Sequence, residues 1–231
     1  MNYGLFSERM KLADLVLTNY RLLYVMPCFD IGLGFGEATV KQACEAKGIS
    51  THLFLLVCNI YTFDDYRPEP ETLTQIRLAD LMKYLTNSHK DYLENRMPKI
   101  ITQILDLIDE NDVPHGKMII AFCEKYRKEV VAHFAYEEQT VFPYIESLLG
   151  GGKSKSYKIK EYKGNHSDLD SSLSDLKNII IKYLPCEHLA DQRRETLISL
   201  FLFELDLSKH TLLEDKILIY LVEQMENKLN E

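Results

Sequence analysis

Two four-residue steps, His133-Phe-Ala-Tyr-Glu137 and His210-Thr-Leu-Leu-Glu214, decide the fold of this chain. Each lies within a long segment whose apolar residues recur with the helical period. Because four residues are just over one helical turn, the histidine and the glutamate of each step share a face. A buried carboxylate is costly unless it is paired or bound to a metal. The two steps therefore predict two helices that carry metal ligands into a bundle core.

The second part of the chain, which contains both steps, has four long amphipathic segments. The segments are joined by Gly/Ser/Lys-rich or Pro-containing connections. Pro98 is expected to kink the first helix, and Pro114 suits the first turn of the second. The third helix places Tyr162 and His166 on its inward face. The pattern predicts an all-α, up-down-up-down four-helix bundle over residues 71–231. Its predicted helices are 71–109, 114–149, 157–184 and 191–228.

The first part of the chain is predicted to be a small helical domain over residues 1–66. Its predicted helices are 10–26, 39–47 and 51–63. The glycine-rich stretch 31–36 is interpreted as a loop, because no strand precedes it and no Lys-Ser/Thr follows it. Pro68 and Pro70 forbid a helix and mark a linker between the two domains.

Helix rise offers an independent test of which histidines meet. In an antiparallel bundle, residues equally far from a shared turn lie at the same height. His89 and His133 agree within roughly 3 Å, and His166 and His210 match closely at 1.5 Å per residue. Between His133 and His166 a slack of roughly 10 Å must be absorbed by the connection 150–156. His115 lies roughly 27 Å from His133 along a straight helix and is excluded from this site.

These residues predict a metal site formed by His89, His133, Glu137, His166, His210 and Glu214. The competing interpretation is a metal-free bundle with buried polar pairs. Asp170 follows His166 by one turn and can serve as a further metal carboxylate or accept from an imidazole N–H. Asp206 precedes His210 by one turn and can hold its ring N–H. We expect both to be ordinary solvated acids, and His52 and His188 to be surface or structural residues.

The ligand set also indicates which metal is bound. If four imidazoles divide between two metals and Glu137 and Glu214 bridge them, each metal has two nitrogen and two oxygen ligands. An oxo or hydroxo bridge adds a fifth ligand and leaves a position open. Two iron ions fit this pattern, manganese is an alternative, and zinc is disfavoured because structural zinc sites are closed and tetrahedral. Such a centre can bind O₂ or NO, transfer electrons or release iron. The ligand set does not distinguish among these functions.

The composition of the chain excludes some classes of binding partner. The net charge is −8 and the pI about 5.4, which argues against a non-specific grip on nucleic acid or an anionic membrane. The N-terminal residues lack the features of a signal peptide. The five cysteines are scattered without C-x-x-C spacing and are expected to be free thiols in a reducing cytoplasm.

The same residues resemble the hemerythrin-like domain of the iron–sulfur cluster repair proteins, the repair-of-iron-centres family. The resemblance extends to the small N-terminal domain and covers nearly the whole chain. That family carries an adjacent cysteine pair in its first domain, but Leu33 and Gly34 stand at those positions and the nearest thiol is Cys28. It also counts a histidine at the position of His115 among its candidate ligands. The matching segments are the two His-x-x-x-Glu steps with His89 and His166, residues 137–143 (EEQTVFP), 92–93 and 97–98, 115–116, 12–16 and 39–49.

The resemblance implies repair or protection of iron–sulfur clusters under nitrosative or oxidative stress, by iron donation or NO/O₂ chemistry. Damaged iron–sulfur proteins, NO and O₂ are then the expected partners, and whether the chain turns over as an enzyme is left open, as is a homodimer. One alternative is a hemerythrin-like O₂ or NO sensor or store without repair activity. Another is a metal-free interaction protein whose first domain binds a partner.

Overall fold

The computed structural model describes residues 4–108, 113–152, 157–162, 167–184 and 189–230. Within these residues every named element is helical, and an isolated antiparallel bridge joins Lys11 and Thr39. The predicted all-α fold is confirmed. The α-helices are α1 Leu12–Thr18, α2 Leu22–Cys28, α3 Val40–Lys47, α4 Thr51–Thr62, α5 Pro70–Leu73, α6 Leu78–Asp91, α7 Met97–Leu105, α8 Val113–Tyr136, α9 Phe142–Leu149, α10 Ser167–Lys182, α11 Ala190–Leu213 and α12 Ile219–Asn230.

Three single π-helical turns join consecutive α-helices into longer helical runs. They are Tyr92–Arg96, Glu137–Val141 and Glu214–Leu218. In each, the amide that follows the turn bonds to the carbonyl five residues earlier, as from Met97 to Tyr92. The helical runs 78–105, 113–149 and 190–230 are therefore continuous. Such turns occur frequently at functional sites, and two of these three begin at a predicted ligand, Glu137 or Glu214.

The predicted single helix over 10–26 is wrong in one respect, because the structure has two helices there, α1 and α2, separated by residues 19–21. Asn19 has an extended backbone, with φ −143° and ψ 99°. Its side chain accepts a hydrogen bond from the Arg21 amide and donates to the carbonyl of Tyr61. A short polar side chain that competes for nearby backbone groups favours a turn over a helix interior. The Asn19 side chain between the two helices thus holds the last turn of α4.

The other predicted N-terminal helices agree closely with α3 and α4. Thr39 and Gln42 form a capping box at the start of α3, and Gly48 ends it with φ +65°. Ser50 caps α4 by accepting from the Leu53 amide. Buried Asn59 in α4 accepts from the Phe6 amide at 2.8 Å, which fixes the first described residues.

The bundle helices differ from prediction mainly at their N-terminal ends. The first predicted helix does not begin at residue 71. Instead, the short α5 ends at Leu73 and the long run starts at Leu78. The third does not begin at residue 157, because 157 and 158 are non-helical and Ile159–Glu161 form a 3₁₀ turn. The second and fourth runs, 113–149 and 190–230, agree within two residues.

Contacts divide the chain into two compact units. One comprises residues 1–88, 145–153 and 212–231, and the other comprises 89–144 and 154–211. The second unit has a continuous apolar core to which α7, α8, α10 and α11 contribute. The predicted boundary between residues 66 and 71 stays a prediction. That core includes Met97, Ile100, Ile104, Ile119, Cys123, Tyr126, Val130, Phe134, Leu173, Leu176, Ile180, Leu200, Phe203 and Leu207.

Two further sequence expectations can be compared with the described residues. None of the described helices combines the length and apolar character that a membrane crossing requires. Cys28, Cys44, Cys58 and Cys123 form no disulfide, as predicted, and they are buried, whereas Cys186 lies outside the described residues.

Candidate metal centre

Four of the six predicted ligands come together in the structure. One ligand atom from each of His89, Glu137, His210 and Glu214 lies within 4.8 Å of the others. The two carboxylates are fully buried and the two imidazoles are 1% exposed. Three helical runs supply them: His89 stands near the end of α6, Glu137 opens the π-turn after α8, and Glu214 opens the π-turn one turn after His210.

His89 is oriented by Glu138. The Nδ1 atom of His89 lies 2.9 Å from Oε1 of Glu138, whose side chain is 41% exposed. Because a carboxylate only accepts, the Nδ1–H of His89 donates to it. This hydrogen bond aims the opposite nitrogen, Nε2, at the cluster. Histidines that bind metals almost always have their second nitrogen held in this way.

The Nε2 atom of His89 meets two electron-rich atoms at once. It lies 3.1 Å from Oε2 of Glu137 and 3.1 Å from Nε2 of His210. A neutral imidazole protonated at Nδ1 presents a lone pair at Nε2, which repels a carboxylate oxygen unless a positive charge lies between them. This repulsion is removed either by a second proton on His89 or by a bound cation. The convergence of donor atoms on one buried point therefore suits a metal ion.

Glu137 is held from two further directions. The Nε2 atom of His133, one turn earlier on the same helical run, lies 2.9 Å from Oε1 of Glu137. The hydroxyl of fully buried Tyr162 donates to the same oxygen at 2.5 Å. A carboxylate with four lone-pair positions can accept both and still offer Oε2 toward His89. Glu137 is thus the centre of the polar network.

Aromatic rings enclose the imidazoles. Phe134 stacks on His89 with centroids 4.1 Å apart and an interplanar angle of 8°. Tyr92 presents an edge-to-face contact to His210 at 5.5 Å. Phe134 and Tyr92 are 2% and 1% exposed. These rings restrict water at the cluster, which strengthens electrostatic interactions there.

His133 joins the network through Glu137, while the other predicted site residue, His166, lies outside the described residues. His115 is in α8, but its side chain is outside the described part. The same holds for the side chain of Asp170 and for all of His188, whereas His52 is exposed as expected.

Asp206 is not the solvated acid that we expected. Its side chain is 9% exposed and forms an ion pair with Arg96. The Arg96 guanidinium lies 5.3 Å from the ring centroids of both Tyr92 and Phe203. A buried acid requires a partner, and here a distant arginine supplies it. The pair links α11, one turn before His210, to the π-turn that follows α6.

The profile of the family described as Hemerythrin HHE cation binding domain matches residues 79–222, which is more than half of the chain. The chain belongs to this hemerythrin family. The match spans His89, both His-x-x-x-Glu steps and all three π-turns, and the helical bundle predicted from the sequence is thereby confirmed. No curated protein and no solved structure matches the chain.

The donor set of this hemerythrin-family site fits a transition metal. Imidazole nitrogen and carboxylate oxygen in one buried cluster suit iron and its neighbours, whereas Ca²⁺ and Mg²⁺ prefer oxygen alone. In the part of the chain that the structure describes, the cluster contains no cysteine. Burial raises the pKa of Cys44 and of Cys123 to about 11, and it raises the pKa of Cys58 well above 9.0. Protonated thiols are poor ligands.

Two residues of the network were not recognised from the sequence as parts of the site. Glu138 was visible only as the second acid of the Glu137-Glu138 pair. Tyr162 is predicted on an inward face but not as part of the site, although its position four residues before His166 is a usable signal. Both act through contacts between residues far apart in the chain, His89 with Glu138 and Tyr162 with Glu137.

Proposed function

We propose that this hemerythrin-family chain is a non-haem di-iron protein that repairs or protects iron–sulfur clusters under nitrosative or oxidative stress. The observation that carries the proposal is the buried convergence of His89, Glu137, His210 and Glu214. We assign His89, His133, His166 and His210 as terminal ligands of two iron ions and Glu137 and Glu214 as bridges.

The charges of the cluster support a bound cation, and the repetition of its ligands supports two ions bridged by a further anion such as oxide or hydroxide. Glu137 and Glu214 each bring a negative charge into a site that excludes water. Burying an uncompensated carboxylate is costly. The two His-x-x-x-Glu steps also offer the same ligands twice, so the arrangement suits a pair of like ions sharing two carboxylates.

Bound iron supplies a redox-active centre that can react with NO or O₂, or be released to an acceptor. The protein residues supply the rest. Glu138 fixes the orientation of His89, and Tyr162 holds a proton against Oε1 of Glu137. Phe134 and Tyr92 limit the access of water. A pocket of this kind admits small, weakly polar molecules more readily than ions.

The repair role rests on the resemblance of the whole chain, including residues 12–16 and 39–49, to the repair-of-iron-centres family. That resemblance also supports a cytoplasmic location, where reduced thiols are stable. Burial and the raised pKa values of Cys44 and Cys58 argue against redox chemistry at those two thiols. We therefore assign the repair activity to the metal centre.

The first experiment measures iron after anaerobic reconstitution. We expect about two irons per chain, because we assign the ligands in two His-x-x-x-Glu sets with bridging carboxylates. Glu137→Ala should lose most of this iron while retaining its helical circular dichroism, because the ligand is removed and the helix is not. Glu146→Ala is the matched control, since Glu146 is an exposed acid on the same helical run. Unchanged iron in Glu137→Ala would overturn the ligand assignment.

The second experiment tests repair. An iron–sulfur enzyme inactivated by NO is incubated with the iron-loaded protein, and recovery of its activity is measured. Recovery with the wild type and with Glu146→Ala, but not with Glu137→Ala, supports repair. Full iron loading with reversible O₂ or NO spectra and no recovery would instead support a sensor or store. Absence of iron from the reconstituted wild type would instead support the metal-free interaction protein.

A further inference from the structure

A pocket in the first of the two units lies outside the set of clustered metal ligands. Its volume is about 330 Å³, and all of its lining residues belong to that unit. One side comes from α5 and the residues just before it, the other from the π-turn Glu214–Leu218 and its flanks, and Ile60 of α4 also lines it. Small-molecule sites typically have volumes of about 300–1,000 Å³. The pocket is therefore large enough for a small organic molecule.

The buried part of this pocket is apolar. Ile60, Leu73 and Ile217 line it and are buried. Tyr66 and Tyr220, both half-buried, add two aromatic side chains to the lining. Such a surface gains free energy by removing hydrocarbon from water and offers little to the oxygens of phosphate or sulfate. The body of a ligand bound here is therefore apolar.

The exposed part of the pocket carries two positive charges. Arg67 and Lys216 are exposed lining residues, and no aspartate or glutamate of the described residues lines the pocket. Nor does either cation have a carboxylate partner in the part of the chain that the structure describes. Acidic residues outnumber basic ones by 35 to 27 in this chain, so an uncompensated positive pair stands out from the rest of the molecule. It attracts an anion.

Arg67 is held in place before any ligand binds. Its guanidinium donates to the backbone carbonyls of Asp64 and Tyr66, each at 2.9 Å. Pro68 and Pro70, which follow it, fix their own φ angles and stiffen this side of the pocket. A guanidinium has five N–H donors, so several remain for a ligand. Binding a ligand here costs less ordering entropy than binding at a flexible loop.

The acids next to the pocket in the sequence leave its charge positive. Glu69 is exposed, Asp215 is half-buried, and neither lines the pocket. Burial, and to a smaller extent Glu69, raise the pKa of Tyr66. The Tyr66 hydroxyl therefore stays protonated at neutral pH and is able to donate a hydrogen bond to an anionic oxygen.

We infer that this pocket binds a small aromatic carboxylic acid. The ring packs against the apolar lining and the tyrosines, and the carboxylate pairs with Arg67 and Lys216. Inorganic phosphate would use only the two cations, and a neutral hydrocarbon would use only the apolar lining. The combination therefore selects a molecule with an apolar body and an anionic group. This assignment goes beyond the proposed function, since no ligand of the metal cluster lines the pocket.

Isothermal titration calorimetry of the full chain without added metal tests this inference with three probes of similar shape. Naphthoate is anionic, naphthylmethanol is neutral and naphthylmethylamine is cationic. We expect naphthoate to bind about tenfold more tightly than naphthylmethanol, because two exposed cations each add a modest attraction, and naphthylmethylamine to bind least. Added salt should weaken the binding of naphthoate and leave that of naphthylmethanol unchanged.

Charge-removing variants assign the attraction to particular residues. Arg67→Met and Lys216→Met each keep a long side chain and should weaken naphthoate binding by about threefold to fivefold. Neither should alter the binding of naphthylmethanol. Lys83→Met is the matched control, because Lys83 is an exposed lysine of the same unit that does not line this pocket.

A fluorescent reporter tests the location. The chain contains no tryptophan, so Tyr220→Trp places a single one in the pocket lining. Its emission should shift on addition of naphthoate and saturate with the dissociation constant that calorimetry gives. Tyr20→Trp is the control, because Tyr20 is exposed, lies in the same unit and does not line the pocket.

Three results would each overturn the inference. They are equal affinity for naphthoate and naphthylmethanol, equal naphthoate affinity of Lys83→Met and the two pocket variants, and an unchanged emission of Tyr220→Trp at saturating naphthoate. No iron is present in these measurements, so the proposed function stands or fails separately.

Discussion

At the scale of single residues, His89 shows how the protein alone can orient a candidate metal ligand. Its ring is stacked by Phe134 on one face, and its Nδ1–H is held by Glu138. Only Nε2 is left to face Glu137 and His210. The cost of ordering this side chain is met by packing and hydrogen bonding within the protein. The imidazole therefore needs little rearrangement on binding a metal.

Replacing Glu138 should weaken metal binding without unfolding the protein. In Glu138→Ala the Nδ1–H of His89 loses its acceptor, and loss of such a partner typically lowers metal affinity by about 10- to 100-fold. Glu138→Gln retains an oxygen acceptor and should recover part of that loss. Iron affinity is measured by competition with a chelator, with Glu146→Ala as the control. Equal affinities of Glu138→Ala and the control would show that Glu138 does not position His89.

The sequence alone predicts which residues share one face of a helix, because that depends only on their spacing. The structure brings His89, Glu137, His210 and Glu214 together, and His133 contacts Glu137, because spacing along a helix fixes which side chains share a face. The prediction for Asp206 is wrong, and the roles of Glu138 and Tyr162 are missed, because their partners come from other elements: Arg96 lies 110 positions away from Asp206. Periodicity within one helix carries no information about such pairs.

At the scale of elements, the π-turns are the main feature that periodicity did not reveal. A π-turn contains one residue more than an α-turn, which corresponds to a change of phase of about 100°. Spacings of three and four residues between apolar positions accommodate one extra residue without an obvious break in the sequence pattern. Pro98 and Pro143 are in retrospect a local signal, since each stands second after a π-turn and lacks the amide that would extend the regular hydrogen bonding. The turn at Glu214–Leu218 has no such proline.

The end of α3 provides a test of backbone control within one element. Gly48 has φ +65° and nothing within 4 Å of an added Cβ, so its substitution would cost only backbone strain. Gly48→Ala should lower the free energy of unfolding by about 1–2 kcal/mol. Gly48→Asn should cost less, because asparagine tolerates the left-handed conformation. The readout is the urea midpoint at an unchanged m-value.

Gly150 is the matched control for that substitution. It lies at the end of α9, does not have a positive φ, and an added Cβ would meet only the carbonyl oxygens of Ser147 and Glu146 at ordinary distances. Gly150→Ala should be neutral or stabilise the protein by about 0.4–1 kcal/mol. If the two alanine variants lost equal stability, backbone conformation at Gly48 would not be the cause.

At the scale of the whole molecule, the metal centre draws on several helical runs that are distant in sequence. His89, Glu137 and His210 come from α6, the π-turn after α8 and α11. In an unfolded chain these donors are separated by dozens of residues and cannot form one site. Metal binding is therefore coupled to folding, and the free energy of binding contributes directly to the stability of the native state.

Iron loading should raise the thermal midpoint of the full chain. A ligand that binds only the native state stabilises it by RT ln(1 + [L]/Kd), which is about 2.7 kcal/mol when free iron is 100 times its dissociation constant. Differential scanning calorimetry under anaerobic conditions measures the shift, and a chelator should reverse it. Mg²⁺ should cause little shift, because it prefers oxygen ligands. Glu137→Ala should lose the response to iron while Glu146→Ala keeps it. An equal rise in Glu137→Ala would mean that iron stabilises the protein from another site.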